Sequence, residues 1–222
     1  MGKPISKIYW FWIPVIFMAA QLVIERILPG QILGRLHSEG GPHETLQFLV
    51  LAIAFILAVR TVFLPQLNNQ GWLRAWIALA AACCLYVAGE EISWGQHVIQ
   101  WSTPGYWAAL NDQNETNLHN TSAWFDQKPR IVLELGILVG GIIIPLLQRY
   151  KPSLVPKRFA SIYGPQELYF PAMMILLIRF LDFSDNGKAF NVFRRGSEVE
   201  ELYLFYFVML YVMALRRRIL QQ

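Results

Sequence analysis

The first of two segments rich in groups that transfer protons reads Gly-Glu-Glu-Ile-Ser-Trp-Gly-Gln-His and ends at His97. Residues three, four and seven apart share a helix face, so Glu90, Ser93, Trp94 and His97 are predicted to form one stripe, with Glu91 pointing about 100° away. Two adjacent carboxylates at the end of an apolar span need a proton, a counter-charge or water. We therefore predict Glu90, Glu91 and Ser93 as catalytic residues, with a carboxylate as the general base.

The second segment, Glu-Thr-Asn-Leu-His-Asn, contains Glu115 and His119. One helical turn would place these two side chains on one face, at a spacing that suits two ligands of a divalent metal. Glu201 and His97 are the further candidate ligands. Because the set holds carboxylates and imidazoles without thiolates, the predicted cofactor is a divalent transition metal, namely zinc, iron or manganese. The alternative is that Glu115 and His119 are a solvated pair at the membrane interface.

Membrane-spanning helices must position these segments. The 222 residues are 55% hydrophobic and only 15% charged, which is too apolar for an ordinary soluble domain. The apolar runs lack the alternation of a β-barrel. We predict an all-α integral membrane protein, a single bundle over residues 1–222 with about six spans of roughly 20 residues. The predicted spans are about 8–28, 45–64, 72–97, 131–147, 168–183 and 198–215.

Lysines and arginines predict the orientation of the bundle. More of them lie at one set of alternating helix ends than at the other, and this bias predicts that both termini are in the cytoplasm, although the last outer loop is also basic. The acidic residues and histidines then gather on the outer side, together with an interfacial segment over 101–129 whose tryptophans suit the headgroup region. The net charge of +4 lies in short clusters between apolar runs, so we predict membrane lipids and no nucleic acid as partners.

Three further patterns predict structure. Gly136 and Gly140 form a small-xxx-small pair, which predicts close approach of another helix. Cys83 and Cys84 are adjacent in an apolar run and offer no disulfide framework. His37 and His43 flank a Gly-Gly-Pro turn and are predicted to be exposed loop residues.

The Gly89–Gln96 and Asn114–Asn120 phrases resemble those of uncharacterised bacterial multi-pass membrane proteins, which implies a bacterial inner-membrane protein. Ser93-x3-His97 is similar to the Ser-x3-His element of the alkaline ceramidase and adiponectin-receptor superfamily, which implies a zinc-dependent intramembrane amidase. That family has a His-x3-His pair in its last helix, where this chain has Glu198 and Glu201. Glu90-Glu91 also resembles the paired glutamates of intramembrane proteases, although Gly95 replaces their arginine.

Three hypotheses of function follow. The first is a membrane-embedded hydrolase, with or without a metal, that acts on a lipid or lipid-linked substrate at the outer leaflet. The second is a proton- or cation-coupled binding or transport protein that uses Glu90 and Glu91. The third is a non-catalytic subunit whose polar network fixes helix packing and binds a membrane-protein partner.

Overall fold

The computed structural model describes residues 4–38, 40–110, 115–118, 121–185 and 192–222, without the side chains of residues 97, 98, 123, 125–127, 184 and 185. This part of the chain is helical and contains no strand, which confirms the all-α prediction. The α-helices are α1 (Ile13–Ile27), α2 (Gly30–Leu36), α3 (Pro42–Val62), α4 (Gly71–Glu91), α5 (Gln96–Ile99), α6 (Gly105–Leu110), α7 (Ala123–Ile137), α8 (Ile144–Tyr150), α9 (Tyr169–Asp185) and α10 (Gly196–Ile219).

Four helical stretches among the described residues are long and apolar enough to cross a membrane. They contain 20 to 23 residues, which corresponds to about 30–35 Å at the rise of an α-helix and matches a hydrocarbon core of about 30 Å. A π-helical turn precedes α1 in the first of them, and a π-helical segment joins α7 to α8 in the last. The four are Ile8–Ile27, Pro42–Val62, Gly71–Glu91 and Lys128–Tyr150.

The last two predicted spans are also helical but differ in length and charge. Helix α9 has 17 residues, whereas α10 has 24 and carries Glu198 in its first turn and Arg216–Arg218 in its last. Helix α10 packs against α3 and α9, and α3 packs against α4. Side chains along α10, among them Leu204 and Leu210, are fully buried. The core of the bundle therefore forms around α10.

Polar contacts distinguish two ends of the bundle. At one end, Nη1 of Arg216 donates to Oγ1 of Thr61, close to the arginine-rich last turn of α10. At the other end, Nε2 of Gln47 donates to the carbonyl of Glu198, where α3 meets the start of α10. We name these the basic end and the acidic end. Helix α4 begins at the basic end and finishes at the acidic end.

The predicted third span over 72–97 is too long, because α4 ends at Glu91. Ser93, Trp94 and Gly95 follow with φ angles of 45°, 54° and 98°. Left-handed backbone breaks the helix, and only the glycine adopts it without steric cost. The predicted helical stripe from Glu90 to His97 is therefore wrong, and the chain resumes in the short helix α5.

Gly136 and Gly140 do not mediate the predicted helix contact. A Cβ atom built on either glycine has no heavy atom within 4 Å among the described residues. The close approach occurs one residue later, at Gly141, where a Cβ would lie 2.9 Å from that of Ala172 and 3.0 Å from the ring of Phe207. Gly136 and Gly140 instead face open space.

Candidate functional site

Glu90 joins the end of α4 to the second polar segment. Its side chain is buried, and its two carboxylate oxygens accept from the indole N–H of Trp94 at 2.7 Å and from the backbone N–H of Leu118 at 2.7 Å. Gly89 permits this arrangement, because a Cβ there would lie 2.8 Å from the Trp94 ring. Because buried carboxylates need partners and the third span ends next to the second segment, the sequence predicts that Glu90 or Glu91 contacts that segment. The structure confirms this contact for Glu90.

Ser93 also forms hydrogen bonds with the second polar segment. Its hydroxyl donates to Oε2 of Glu115 at 2.5 Å and accepts from Nδ2 of Asn117 at 3.0 Å. Asn117 also donates to Oε2 of Glu115 at 2.6 Å. All three side chains are buried, so the Ser93 hydroxyl serves as a packing contact in this conformation. Its catalytic role stays a prediction.

Gln96 completes the junction. Its amide oxygen accepts from the backbone N–H of Thr116 at 2.7 Å, and its amide nitrogen donates to Oγ1 of Thr103 at 2.8 Å. The two polar segments therefore interlock through side chains of both. We name this group the clasp and define it as Glu90, Ser93, Gln96, Glu115 and Asn117. The bonds of the clasp satisfy buried polar groups at the point where α4 breaks.

Glu91 lies outside the clasp. It makes no hydrogen bond or ion pair with any other group in the described part of the chain, and it lines a cavity of about 1660 Å³. Its strongest electrostatic neighbours are four other carboxylates, those of Glu201, Glu44, Glu198 and Glu90. The structure thus separates two adjacent glutamates that have the same predicted role.

The cavity lies between α4, the span Lys128–Tyr150 and α10. Apolar side chains of these helices form most of its walls, among them Val87, Val139 and Val208. Leu79 and Val132 also line it and are exposed, so the cavity is open along the side of the bundle. We name it the groove. Its charged lining residues are Glu44, Glu90, Glu91, Glu115, Lys128, Arg130, Arg195, Glu198 and Glu201.

Arg130 links the Lys128–Tyr150 span to the start of α10. Its guanidinium donates to Glu200 at 2.6 Å, to Glu201 at 2.7 Å and to Glu134 at 3.0 Å. Arg179 of α9 donates to the same oxygen of Glu200 at 3.2 Å. Glu200 is fully buried, so this network compensates a charge that would otherwise be costly. Composition alone does not reveal the network, because its members come from three helices.

The predicted metal ligands divide into two pairs. His119 lies outside the described residues, and the side chain of His97 is not described. Glu115 belongs to the clasp, and Glu201 is paired with Arg130. Residues 115–118 form bends instead of the predicted helical turn. Among the described residues, no group of three or more His, Cys, Asp or Glu side chains has an arrangement that could hold a metal ion.

A second buried polar cluster joins α1, α2 and α3. The imidazole rings of His37 and His43 lie 4.3 Å apart, with exposures of 2% and 6%, so their predicted exposure is wrong. Nε2 of His43 lies 3.2 Å from Oε1 of Gln21. The side-chain nitrogen of Gln21, Nε2, donates to Oε1 of Glu25 at 3.0 Å. Gln21 and Glu25, four residues apart in an apolar helix, are the signal in the sequence for such a site.

Comparisons with known proteins found no match: no family model, no curated protein and no solved structure matches the chain.

Proposed function

We propose that the protein is a membrane-embedded enzyme that acts on a lipid or lipid-linked substrate in the groove, with Glu91 as the general base. One observation carries this proposal. Glu91 is a carboxylate at the acidic end of a largely apolar groove, and no group among the described residues forms a hydrogen bond or ion pair with it. A carboxylate at the end of an apolar span is costly, and such residues mark functional sites in membrane proteins.

The apolar and the acidic parts of the groove have different roles in this proposal. The apolar walls accommodate the chain of a lipid and place its headgroup at the acidic end, beside Glu91. There the Glu91 carboxylate takes a proton from a water molecule, the resulting hydroxide attacks the headgroup linkage, and the leaving group receives the proton from Glu91. Such proton transfer contributes about 100- to 10,000-fold to a rate.

The clasp and the Arg130 network hold the two sides of this site. Glu90 ties the last turn of α4 to Leu118, which fixes the direction in which Glu91 points. Arg130 ties the opposite wall to Glu200 and Glu201 of α10. A base held by fixed neighbours loses little freedom when the substrate binds, which is the condition for efficient positioning.

The proposal places the chain in a bacterial inner membrane with six spans, in which α9 and α10 also cross. Helix α10 is long enough, and α9 packs against it. The basic end then faces the cytoplasm with both termini, and the acidic end faces outward. Reporter fusions after Ser122 and after Gln222 test this topology. We expect an external signal from the first and a cytoplasmic signal from the second, and two cytoplasmic signals would overturn the placement.

A bound metal is a separate hypothesis, in which His119 and His97 would be ligands together with Glu115 and Glu201. Elemental analysis of purified protein is its test. Stoichiometric zinc, iron or manganese that is lost in His119→Ala would assign a metal to this site, and metal-free active protein would refute that assignment.

Lipid turnover tests the enzyme itself. Purified protein is reconstituted with a bacterial polar lipid extract, and the lipids are followed by mass spectrometry. We expect products with the wild type and with Glu198→Gln, but not with Glu91→Gln. Equal product formation by Glu91→Gln would exclude Glu91 as the base.

Cation-coupled transport is the second candidate, favoured by the carboxylates around Glu91. If wild-type protein leaves all lipids unchanged while proteoliposomes take up protons or an organic cation in a Glu91-dependent manner, transport replaces catalysis.

A further inference from the structure

We propose that the groove binds a lipid whose headgroup carries a positively charged amine. This inference rests on the proposed function in one respect, since it names the chemical class of the molecule on which Glu91 acts. Three features of the groove support it: its length, the part of its wall that is formed by glycines without side chains, and its charge.

The length of the groove suits a lipid chain. Its lining follows α4 from Trp76 to Glu91, which is about 22 Å at 1.5 Å per residue. This is more than one leaflet of a hydrocarbon core that is about 30 Å thick. Since the exposed Leu79 and Val132 border the groove, a chain can enter from the bilayer without crossing water.

The part of the wall without side chains is formed by Gly136 and Gly140, which both line the groove. A Cβ on either would meet no described atom within 4 Å, whereas a Cβ on Gly141 would collide with the next helix. The two glycines therefore widen the groove at its middle, where a side chain would fit sterically without disturbing the packing of the helices.

The charge of the groove favours a cation. Its charged lining consists of six glutamates and three basic residues among the described residues, an excess of three negative charges when all are ionised. Arg130, one of the three, is already paired with Glu134, Glu200 and Glu201. An ammonium headgroup beside Glu91 would reduce this excess and supply the partner that Glu91 lacks among the described groups.

Binding of four probes tests the inference. Hexadecylamine, hexadecanol and hexadecanoic acid share one chain and differ in headgroup, and ethylamine has the amine without the chain. Binding to purified protein is measured by native mass spectrometry. We expect hexadecylamine to bind about tenfold or more tightly than hexadecanol, as a hydrogen bond between charged groups allows, and ethylamine to bind negligibly.

Two variants assign the binding to the groove. Glu91→Gln is expected to remove most of the preference for the amine while the hexadecanol affinity stays the same. Gly140→Leu is expected to abolish binding of both, because its side chain occupies the groove. Gly34→Leu is the matched control, since Gly34 of α2 also has open space around its Cβ but does not line the groove. Gly136→Leu replaces Gly140→Leu if the latter does not fold.

Equal binding of the three long-chain probes would overturn the inference, as would full binding to both groove-filling glycine variants. Tight binding of ethylamine would show an amine site without a lipid, and a protein helix found in the groove would show a different occupant. Either result also overturns it. Glu91-dependent turnover of lipids that lack an amine would leave the proposed function intact. Binding of amine lipids without any turnover would refute the proposed enzyme and leave this inference standing.

Discussion

The clasp and the acidic end of the groove meet at the last turn of α4, where Glu90 belongs to the first and Glu91 to the second. The two glutamates have the same side chain and are adjacent in the sequence. Both line the groove, but Glu90 is buried and accepts two hydrogen bonds, whereas Glu91 is half-buried and has no hydrogen-bonding partner among the described groups. The rotation of one helix by about 100° per residue makes one a structural residue and the other a candidate for chemistry.

The largest effect is expected from Glu91→Gln. The amide keeps the shape of the side chain but cannot accept a proton as a base, so turnover should fall by about 100- to 10,000-fold. The melting temperature should stay close to that of the wild type, because no described hydrogen bond is lost. Lipid turnover and thermal unfolding in the same preparation check both parts. A large loss of stability would place Glu91 with the clasp and break the comparison.

Arg130→Ala should cost the most stability. It removes the closer of the two arginine partners of the buried Glu200, leaves Arg179 as the other, and takes away the ion pairs between the Lys128–Tyr150 span and α10. The loss of one partner of a buried ion pair costs up to about 3–5 kcal/mol. Chemical unfolding in detergent measures the free energy. Arg130→Lys is the matched control and should recover part of the loss, because it keeps the charge but not the forked geometry. A neutral result for Arg130→Ala would show that the groove wall needs no such support.

Glu90→Ala should have an intermediate effect. It leaves the N–H groups of Trp94 and Leu118 without their acceptor, which costs about 1–3 kcal/mol where these groups stay buried. Glu91→Ala is the adjacent control and should not lower the free energy of unfolding, because it removes no described hydrogen bond and takes away a carboxylate that is costly at the end of an apolar span. The same measurement on both variants sharpens the comparison, and equal losses would contradict it.

Glu198→Gln should have the smallest effect. Glu198 lies in the first turn of α10, and Arg195 approaches it only to 3.9 Å. The lost helix-dipole interaction is about 0.3–1 kcal/mol. The unfolding free energy should remain near the wild-type value, and turnover should fall far less than in Glu91→Gln, because Glu198 lines the groove but is not the proposed base. A loss of turnover as large as that of Glu91→Gln would assign Glu198 to the chemistry.

Much of the fold could be predicted from the sequence, because backbone groups in lipid must bond within their own helix and long apolar runs therefore become helices. The contact between Glu90 and the second segment followed from their proximity along the chain. The break after Glu91 could not be predicted, since side chains from residues 115–118 stabilise it. The same limit applies to His37 and His43, whose burial depends on how three helices meet, and to Gly140, whose neighbours decide whether it faces a helix or a groove.

The clasp also has a consequence for hydrogen exchange. Residues 115–118 contain no helix, yet the backbone N–H groups of Thr116 and Leu118 donate to the side chains of Gln96 and Glu90. Their deuterium uptake should thus be as slow as that of helical amides, although the segment has no regular secondary structure. Exchange there requires the clasp to separate, so the protection of these two amides measures the free energy with which the end of α4 is held closed.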